Sequence, residues 1–224
     1  MLRLGSIART TIDVDFSFFI LATLFVLTSY DRSQGVHYAL LWIPILFISI
    51  LVHELAHAGA FGIFGYGPSR IVLGGIGGVT VNESNRRTRP WHDMLISAAG
   101  PLSSFAIKFG VDRLMRSVPY TQQDPALVAF LPLLAYMNIF WGFFNLVPVS
   151  PLDGGHVVRS FFRMFLDERK AFVIAVWIAI VGGAIAVLIA AKIRLFFAAF
   201  LIGWYVFMNY QQWQHYRETG VPGD

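Results

Sequence analysis

The sequence predicts an all-α polytopic membrane protein, with about six transmembrane helices and a small β hairpin or sheet near the cytoplasmic mouth. Three observations lead to this prediction. The 224-residue chain is 56% hydrophobic and only 13% charged, whereas a soluble domain carries about 25% charged residues. Six long apolar stretches follow one another along the chain, and a glycine-rich segment with the character of strands interrupts them.

The six apolar stretches are the candidate membrane spans, because a helix needs about 20 apolar residues to cross the hydrocarbon core. The first and the last are short for this purpose, so we expect them to tilt or to use flanking residues. The stretches lie approximately at 16–30, 38–66, 92–115, 126–147, 170–191 and 194–210.

The first stretch is as apolar as a signal peptide, but its flanks differ from those of one. Asp13 and Asp15 stand where a positive region is expected, and no convincing small-x-small cleavage site follows. We therefore interpret the stretch as a retained membrane helix. We expect residues 1–224 to form a single membrane-embedded domain without a PDZ or CBS domain.

The basic residues indicate how the spans are oriented. With six spans, both termini and the second and fourth loops share one side, and that side carries most of the arginines. Positive charge marks the cytoplasmic face, so both termini are predicted to be cytoplasmic, although Lys192 and Arg194 run against the rule. The preference for arginine over lysine favours a prokaryotic cell membrane as the location.

Charge and cysteine content exclude several classes of function. The net charge of +4 is modest, and the arginines are scattered among loops, which argues against nucleic-acid binding. The chain has no cysteine, which excludes disulfides, thiolate zinc sites and iron–sulfur clusters. Any bound metal must therefore take nitrogen and oxygen ligands.

Two segments interrupt the helical pattern. In 65–87, the apolar runs 71–73 and 79–81 are separated by glycines, which predicts short strands or a hairpin. In 145–160, two prolines and a Gly-Gly pair stand beside apolar residues. Irregular backbone at membrane depth is tolerated where it is buried in protein or lines a watery cavity, so both segments are expected in one of those settings.

The motif HELAH, at 53–57, lies inside the second stretch. On a helix, His53 and His57 share one face, so their imidazoles can bind one zinc ion, and Glu54 can polarise a zinc-bound water. The alternative is a pair of histidines hydrogen-bonded within a helix bundle. His57 precedes Tyr66, the end of the stretch, by nine residues, or about 13 Å. The metal should therefore lie inside the bilayer, nearer the cytoplasmic face.

A third zinc ligand has to come from elsewhere, because a catalytic zinc usually has three protein ligands and one open position. The metzincin extension HExxHxxGxxH is absent, since Ile63 stands at its last position. Asp153 is the remaining candidate, because an aspartate in an apolar, non-helical segment needs a cation or strong donors. The alternative is a turn aspartate that caps a helix starting near His156.

HELAH, followed downstream by NLVPVSPLDGG at 145–155, resembles the site-2 protease family of intramembrane zinc metalloproteases, of M50 type and in a minimal prokaryotic form. The resemblance covers most of the chain. It also includes GGIGGV at 74–79 and AAGPL at 98–102, which opens the third span.

The resemblance implies a role for each candidate residue. His53, His57 and Asp153 would bind one Zn²⁺ ion, and Glu54 would be the catalytic base. Asn145 would contact the substrate or the developing oxyanion; the alternative for this residue is an interhelical hydrogen bond.

Two positions depart from the family pattern. Asp15 stands near the start of the first span where the family often has histidine, and His156 follows Asp-Gly-Gly where the family often has arginine. His156 is interpreted as a residue of the helix start, with a position beside the zinc ligands as the alternative.

The function that this resemblance implies is intramembrane proteolysis. The partners would be the lipid bilayer and a membrane-protein substrate with a transmembrane helix, and the 71–81 strands could pair with the unwound substrate. The alternative for the strands is a hairpin that only plugs the cytoplasmic mouth. Two other functions remain as hypotheses: a catalytically silent relative that binds membrane helices, and a metal transporter.

Overall fold

The structure is a computed structural model that describes residues 1–32, 35–84, 86–117 and 125–222. The chain divides into two units. The first comprises Met1–Arg86 and Leu102–Gly142, and the second comprises Arg87–Pro101 and Phe143–Asp224.

The described residues contain eight helices and four strands. The strands are β1 (Leu2–Ile7), β2 (Thr10–Val14), β3 (Ser69–Gly74) and β4 (Gly77–Asn82). The helices are α1 (Phe16–Thr28), α2 (Val36–Leu40), α3 (Trp42–Ile63), α4 (Pro90–Ser117), α5 (Pro125–Asn145), α6 (Asp153–Arg163), α7 (Glu168–Lys192) and α8 (Phe196–Thr219).

Four helical segments in the described part of the chain are long and apolar enough to cross a membrane. Val36–Ile63, which contains α2 and α3, is the first, and Pro90–Ser117, Leu127–Asn145 and Glu168–Lys192 are the others. Helix α1 has 13 residues, fewer than the roughly 20 that a perpendicular span requires. The four long apolar helices confirm the expected multi-pass character.

A four-stranded sheet belongs to the first unit, with strand order β1-β2-β3-β4. The two hairpins, β1–β2 and β3–β4, are antiparallel, and β2 and β3 join them in parallel. The hairpin predicted at 71–81 is thus confirmed as β3 and β4. The β1–β2 hairpin was not predicted.

The core of the first unit lies between α3, β3 and α5. Ile45 and Ile50 of α3, Leu73 of β3 and Met137 of α5 are almost completely buried. Strand β3 alternates buried and half-buried residues, as expected for a strand with one face on a helix. This packing holds β4 beside α3, which carries the HELAH motif.

The second unit is built around the antiparallel neighbours α7 and α8. Gly183 of α7 permits their close approach, because a Cβ at this position would lie 2.3 Å from Val206 Cγ2. Arg163 at the end of α6 contacts Asp93 at 3.1 Å and Glu168 at 2.7 Å. These contacts fix α6 against the start of α7 and of α4.

Candidate active site

His53, Glu54 and His57 lie in the middle of α3 and are buried, with exposures of 2%, 4% and 7%. The two imidazole rings, one helical turn apart, have centroids 4.9 Å apart. The predicted placement on one helix face is therefore confirmed. Ionisable side chains are rarely buried without a ligand or a set of hydrogen bonds.

Ser104 of α4 contacts the first of these histidines. His53 Nδ1 lies 3.2 Å from Ser104 Oγ. When Nδ1 donates to this hydroxyl, Nε2 carries the lone pair and is free to bind a metal ion, because the partner of one ring nitrogen sets the role of the other.

Two buried polar residues lie next to the histidine-bearing face of α3, one on α3 itself and one on α5. Ser49 lies one turn before His53 and accepts a hydrogen bond of 2.9 Å from Asn138 Nδ2. Both Ser49 and Asn138 are fully buried. Asn138 also donates to the Leu134 carbonyl within its own helix, at 2.9 Å. This pair ties α5 to the histidine-bearing face of α3.

Strand β4 lies against the side chain of Glu54. Thr80 Oγ1 is 2.7 Å from Glu54 Oε2 and 3.1 Å from the Glu54 carbonyl oxygen. Gly78 lies even closer, since a Cβ there would be 2.3 Å from Glu54 Cγ. The buried carboxylate thus has a hydroxyl donor and a glycine surface supplied by one strand.

Asp153 is the first residue of α6, in the second unit, and is partly buried. Leu152 is the N-cap of this helix, so the alternative of a turn aspartate that caps a helix starting near His156 is wrong, and so is the expectation that Asp153 lies in a non-helical segment. His156 lies within the first turn of α6 and is exposed. Asn145 is the last residue of α5 and is partly buried.

The Gly-Gly pair after Asp153 lets α6 start against the preceding backbone. A Cβ on Gly154 would lie 2.3 Å from the Leu146 carbonyl oxygen, and one on Gly155 would lie 2.5 Å from the Ser150 nitrogen. Both obstacles are backbone atoms, which cannot move aside as a side chain can. Glycine is therefore required at both positions.

Asp15 has a structural role at the start of α1. It is the N-cap, and its Oδ1 accepts hydrogen bonds from Ser17 Oγ at 2.7 Å and from the Ser17 N–H at 3.0 Å. These two bonds lower the pKa of the Asp15 carboxyl, the hydroxyl having the larger effect.

His53 and His57 of the first unit offer two imidazole nitrogens to a metal ion. Together with one carboxylate oxygen, such as that of Asp153 predicted from the sequence, they would form the donor set of many catalytic zinc sites. Nitrogen and oxygen donors are also what a chain without cysteine can provide.

Two relatives and one family model bear on the identity of the chain. Rip3 of Mycobacterium tuberculosis is 31% identical over 221 residues, which cover 92% of this chain and 55% of Rip3. A zinc metalloprotease of Methanocaldococcus jannaschii is 30% identical over 71% of this chain and 44% of its own length. Residues 113–190 match the sequence model of peptidase family M50.

The chain is similar in sequence to peptidase family M50 and to zinc metalloproteases. The predicted resemblance is thereby confirmed. The chain spans about half the length of the relatives it matches in sequence. The site-2 protease of Methanocaldococcus jannaschii has the same fold: it superposes with a TM-score of 0.63, at 23% identity, over 94% of each chain.

Sequence reasoning missed three residues of this candidate site. Ser104 is one of two adjacent serines, and nothing in the sequence indicates which of them meets His53. Thr80 and Gly78 share one face of β4, because alternate residues of a strand do, but nothing in the sequence indicated that this face meets Glu54.

Asn209 of α8 supports the segment that leads into Asp153. Its Nδ2 donates to the Ser150 carbonyl at 2.6 Å and to the Tyr205 carbonyl at 2.7 Å. We expect Asn209→Leu to lower the free energy of unfolding by about 1–3 kcal/mol, because the Ser150 carbonyl loses its donor. Thermal unfolding in detergent measures this effect, and Gln211→Leu, at an exposed position of the same helix, is the control. Equal midpoints for the two variants would contradict it.

Proposed function

We propose that the chain is an intramembrane zinc endopeptidase, which hydrolyses peptide bonds within or near transmembrane segments of other membrane proteins. The observation that carries the proposal is the buried set of His53, Glu54 and His57 on an apolar helix, with Ser104 fixing one imidazole and Thr80 contacting the carboxylate. The match to peptidase family M50 and the names of the relatives support it.

In this proposal His53, His57 and Asp153 hold one Zn²⁺ ion. The donor set supports this assignment, because two imidazoles and one carboxylate are the kinds of ligand that a catalytic zinc ion would take. Ser104 supports His53 as a ligand, because its hydroxyl can accept a hydrogen bond from the N–H of the ring nitrogen that does not bind the metal.

Zinc, when bound, lowers the pKa of a water molecule and polarises a peptide carbonyl. Glu54 accepts a proton from the attacking water and delivers it to the leaving amine. Asn145 contacts the substrate or the oxyanion in this scheme. Its place at the end of α5, just before the segment that leads to Asp153, supports that role.

The site would lie within the bilayer. Helix α3 ends at Ile63, six residues after His57, which corresponds to about 9 Å along the helix axis. This is shorter than the distance expected from the sequence, because the helix ends before Tyr66. In the proposed topology α1 and α8 complete six spans, and both termini are cytoplasmic, in a prokaryotic cell membrane.

The substrate would present an extended strand. Peptide bonds inside a helix are shielded by their own hydrogen bonds, so the substrate must unwind first. Strand β4 is an edge of the sheet and lies beside α3, so an unwound segment can add to it by backbone hydrogen bonding. Val79 and Val81 are exposed on β4, which supports contact with an apolar partner.

The two alternatives are less well supported. A catalytically silent relative has no need of a buried general base between its histidines. A transporter needs weak, exchangeable binding of its ion and a path through to both faces of the membrane. A glutamate beside the first histidine has no role in such transport.

One experiment separates the three functions. The purified protein is reconstituted with a single-span substrate, its zinc is removed with a chelator and then restored, and the products are located by mass spectrometry. The protease requires zinc-dependent cleavage within or beside the span. Zinc retention without cleavage of any substrate in a panel of spans would favour the silent relative, and zinc flux into vesicles would favour the transporter.

A further inference from the structure

Strand β4 contacts Glu54 through two residues that share one face of the strand. Thr80 lies on the side of Oε2, at 2.7 Å, and Gly78 lies on the side of Oε1, where a Cβ would come within 2.6 Å of that atom. Both residues belong to the same unit as Glu54. The strand therefore determines where the carboxylate can be.

We infer that Thr80 is a positioning residue for the catalytic base and that Gly78 provides the space in which this base sits. The inference rests on the proposed function and deepens it. It assigns to β4 a second role besides the pairing of substrate, namely the orientation of the group that moves the proton.

The hydroxyl of Thr80 has one proton to donate. The shorter of its two contacts is the one to Oε2, and a hydrogen bond to a charged acceptor is stronger than one to a neutral carbonyl. Oε2 then has a fixed donor, which restricts the rotation of the carboxylate. A carboxylate with one fixed oxygen presents the other in a defined direction, which general base catalysis requires.

Gly78 also determines the position of the Glu54 side chain, through the space that it leaves. The atoms that a Cβ at position 78 would meet are Cγ, Cδ and Oε1 of Glu54, which belong to a flexible side chain. Rotation of that side chain relieves the clash more easily than movement of the sheet. Gly78→Ala should therefore displace the base while the strand keeps its pairing with β3.

A purely structural role for Thr80 is the competing explanation. The hydroxyl also contacts the carbonyl of residue 54, and so could serve only to attach β4 to α3. The two explanations differ in kinetics: a positioning residue affects kcat with little effect on KM, whereas a loosened sheet lowers thermal stability and the amount of folded protein.

The test compares three variants at position 80 and its surroundings. Thr80→Val keeps the shape and removes the hydroxyl, Thr80→Ser keeps the hydroxyl and removes the methyl, and Gly78→Ala adds the methyl group against Glu54. The matched control is Thr11→Val in β2, because the Thr11 hydroxyl is buried and makes no hydrogen bond in the described part of the chain. Each protein is assayed with one single-span substrate for kcat, KM, zinc content and thermal midpoint.

We expect Thr80→Val and Gly78→Ala to lower kcat about 10- to 100-fold, the range that a lost hydrogen bond to a charged group produces, with KM and zinc content unchanged. Thr80→Ser should stay within about threefold of the wild type, because the hydrogen bond is kept. The Thr11→Val control should have wild-type kinetics.

Two results would overturn the inference. Wild-type kcat in Thr80→Val would show that the hydroxyl does not orient the base, and equal losses in Thr80→Ser and Thr80→Val would assign the effect to packing. Failure of the proposed function looks different, since the wild-type protein itself would then cleave nothing.

Discussion

Glu54→Gln is expected to reduce cleavage of a single-span substrate by about 10²- to 10⁴-fold, the usual contribution of a general acid–base group. The amide has nearly the same shape as the carboxylate, and its oxygen can still accept the hydrogen bond from Thr80. It cannot take a proton from water at neutral pH. Zinc content should stay at the wild-type value, because Glu54 is not a proposed ligand.

Glu83→Gln is the matched control for this variant. Glu83 follows β4, is exposed, and lies only a few residues from the strand that contacts Glu54. The same change of charge is therefore made close to the site without touching the base. Cleavage rates and zinc content are measured on the same preparations of both variants. If Glu54→Gln cleaves at the wild-type rate, Glu54 is not the general base.

Asp153→Ala is expected to weaken zinc binding by at least about 100-fold, because residues that only support ligands already contribute 10- to 100-fold. Two imidazoles would remain, and these do not complete a catalytic zinc site. Cleavage should be lost together with the metal, unlike in Glu54→Gln, where the metal stays. Titration of the apo-protein against a competing chelator gives the affinity.

The control for this second variant is Glu218→Ala, which removes an exposed carboxylate near the end of α8. It should bind zinc as the wild type does. His57→Ala should behave like Asp153→Ala, since each removes one proposed ligand. If Asp153→Ala keeps wild-type affinity while His57→Ala loses it, the third ligand is another residue.

The sequence was sufficient to predict the features that depend on local pattern. Each of the six apolar stretches contains or overlaps a helix, from α1 near 16–30 to α8 near 194–210. The β3–β4 hairpin followed from apolar runs separated by glycines. His53 and His57 followed from the fixed spacing of residues on one helix face.

The β1–β2 hairpin was missed because its turn has no sequence signal. Two-residue hairpin loops favour Asn-Gly or Asp-Gly, since both central residues need positive φ. Here Ala8 and Arg9 occupy those positions, with φ of 45° and 69°. In addition, all six residues of β1 are exposed, so the alternation that normally reveals a half-buried strand is absent.

Contacts between distant parts of the chain were beyond the reach of sequence reasoning. Ser104 meets His53 from 51 positions away, and Thr80 meets Glu54 from 26 positions away. No local rule selects Ser104 over its neighbouring serine. Asn209, which supports the segment before Asp153 from 59 positions away, is equally inconspicuous among the polar residues near the end of α8. Such partners are set by packing, not by spacing along the chain.

Zinc K-edge X-ray absorption on the purified protein tests the central claim most directly. Two imidazoles and one carboxylate predict a first shell of nitrogen and oxygen at about 2.0–2.2 Å, with multiple-scattering features from two histidines and fewer oxygen neighbours in Asp153→Ala. A shell with three or more imidazoles, or a wild-type protein that binds no zinc, would contradict it.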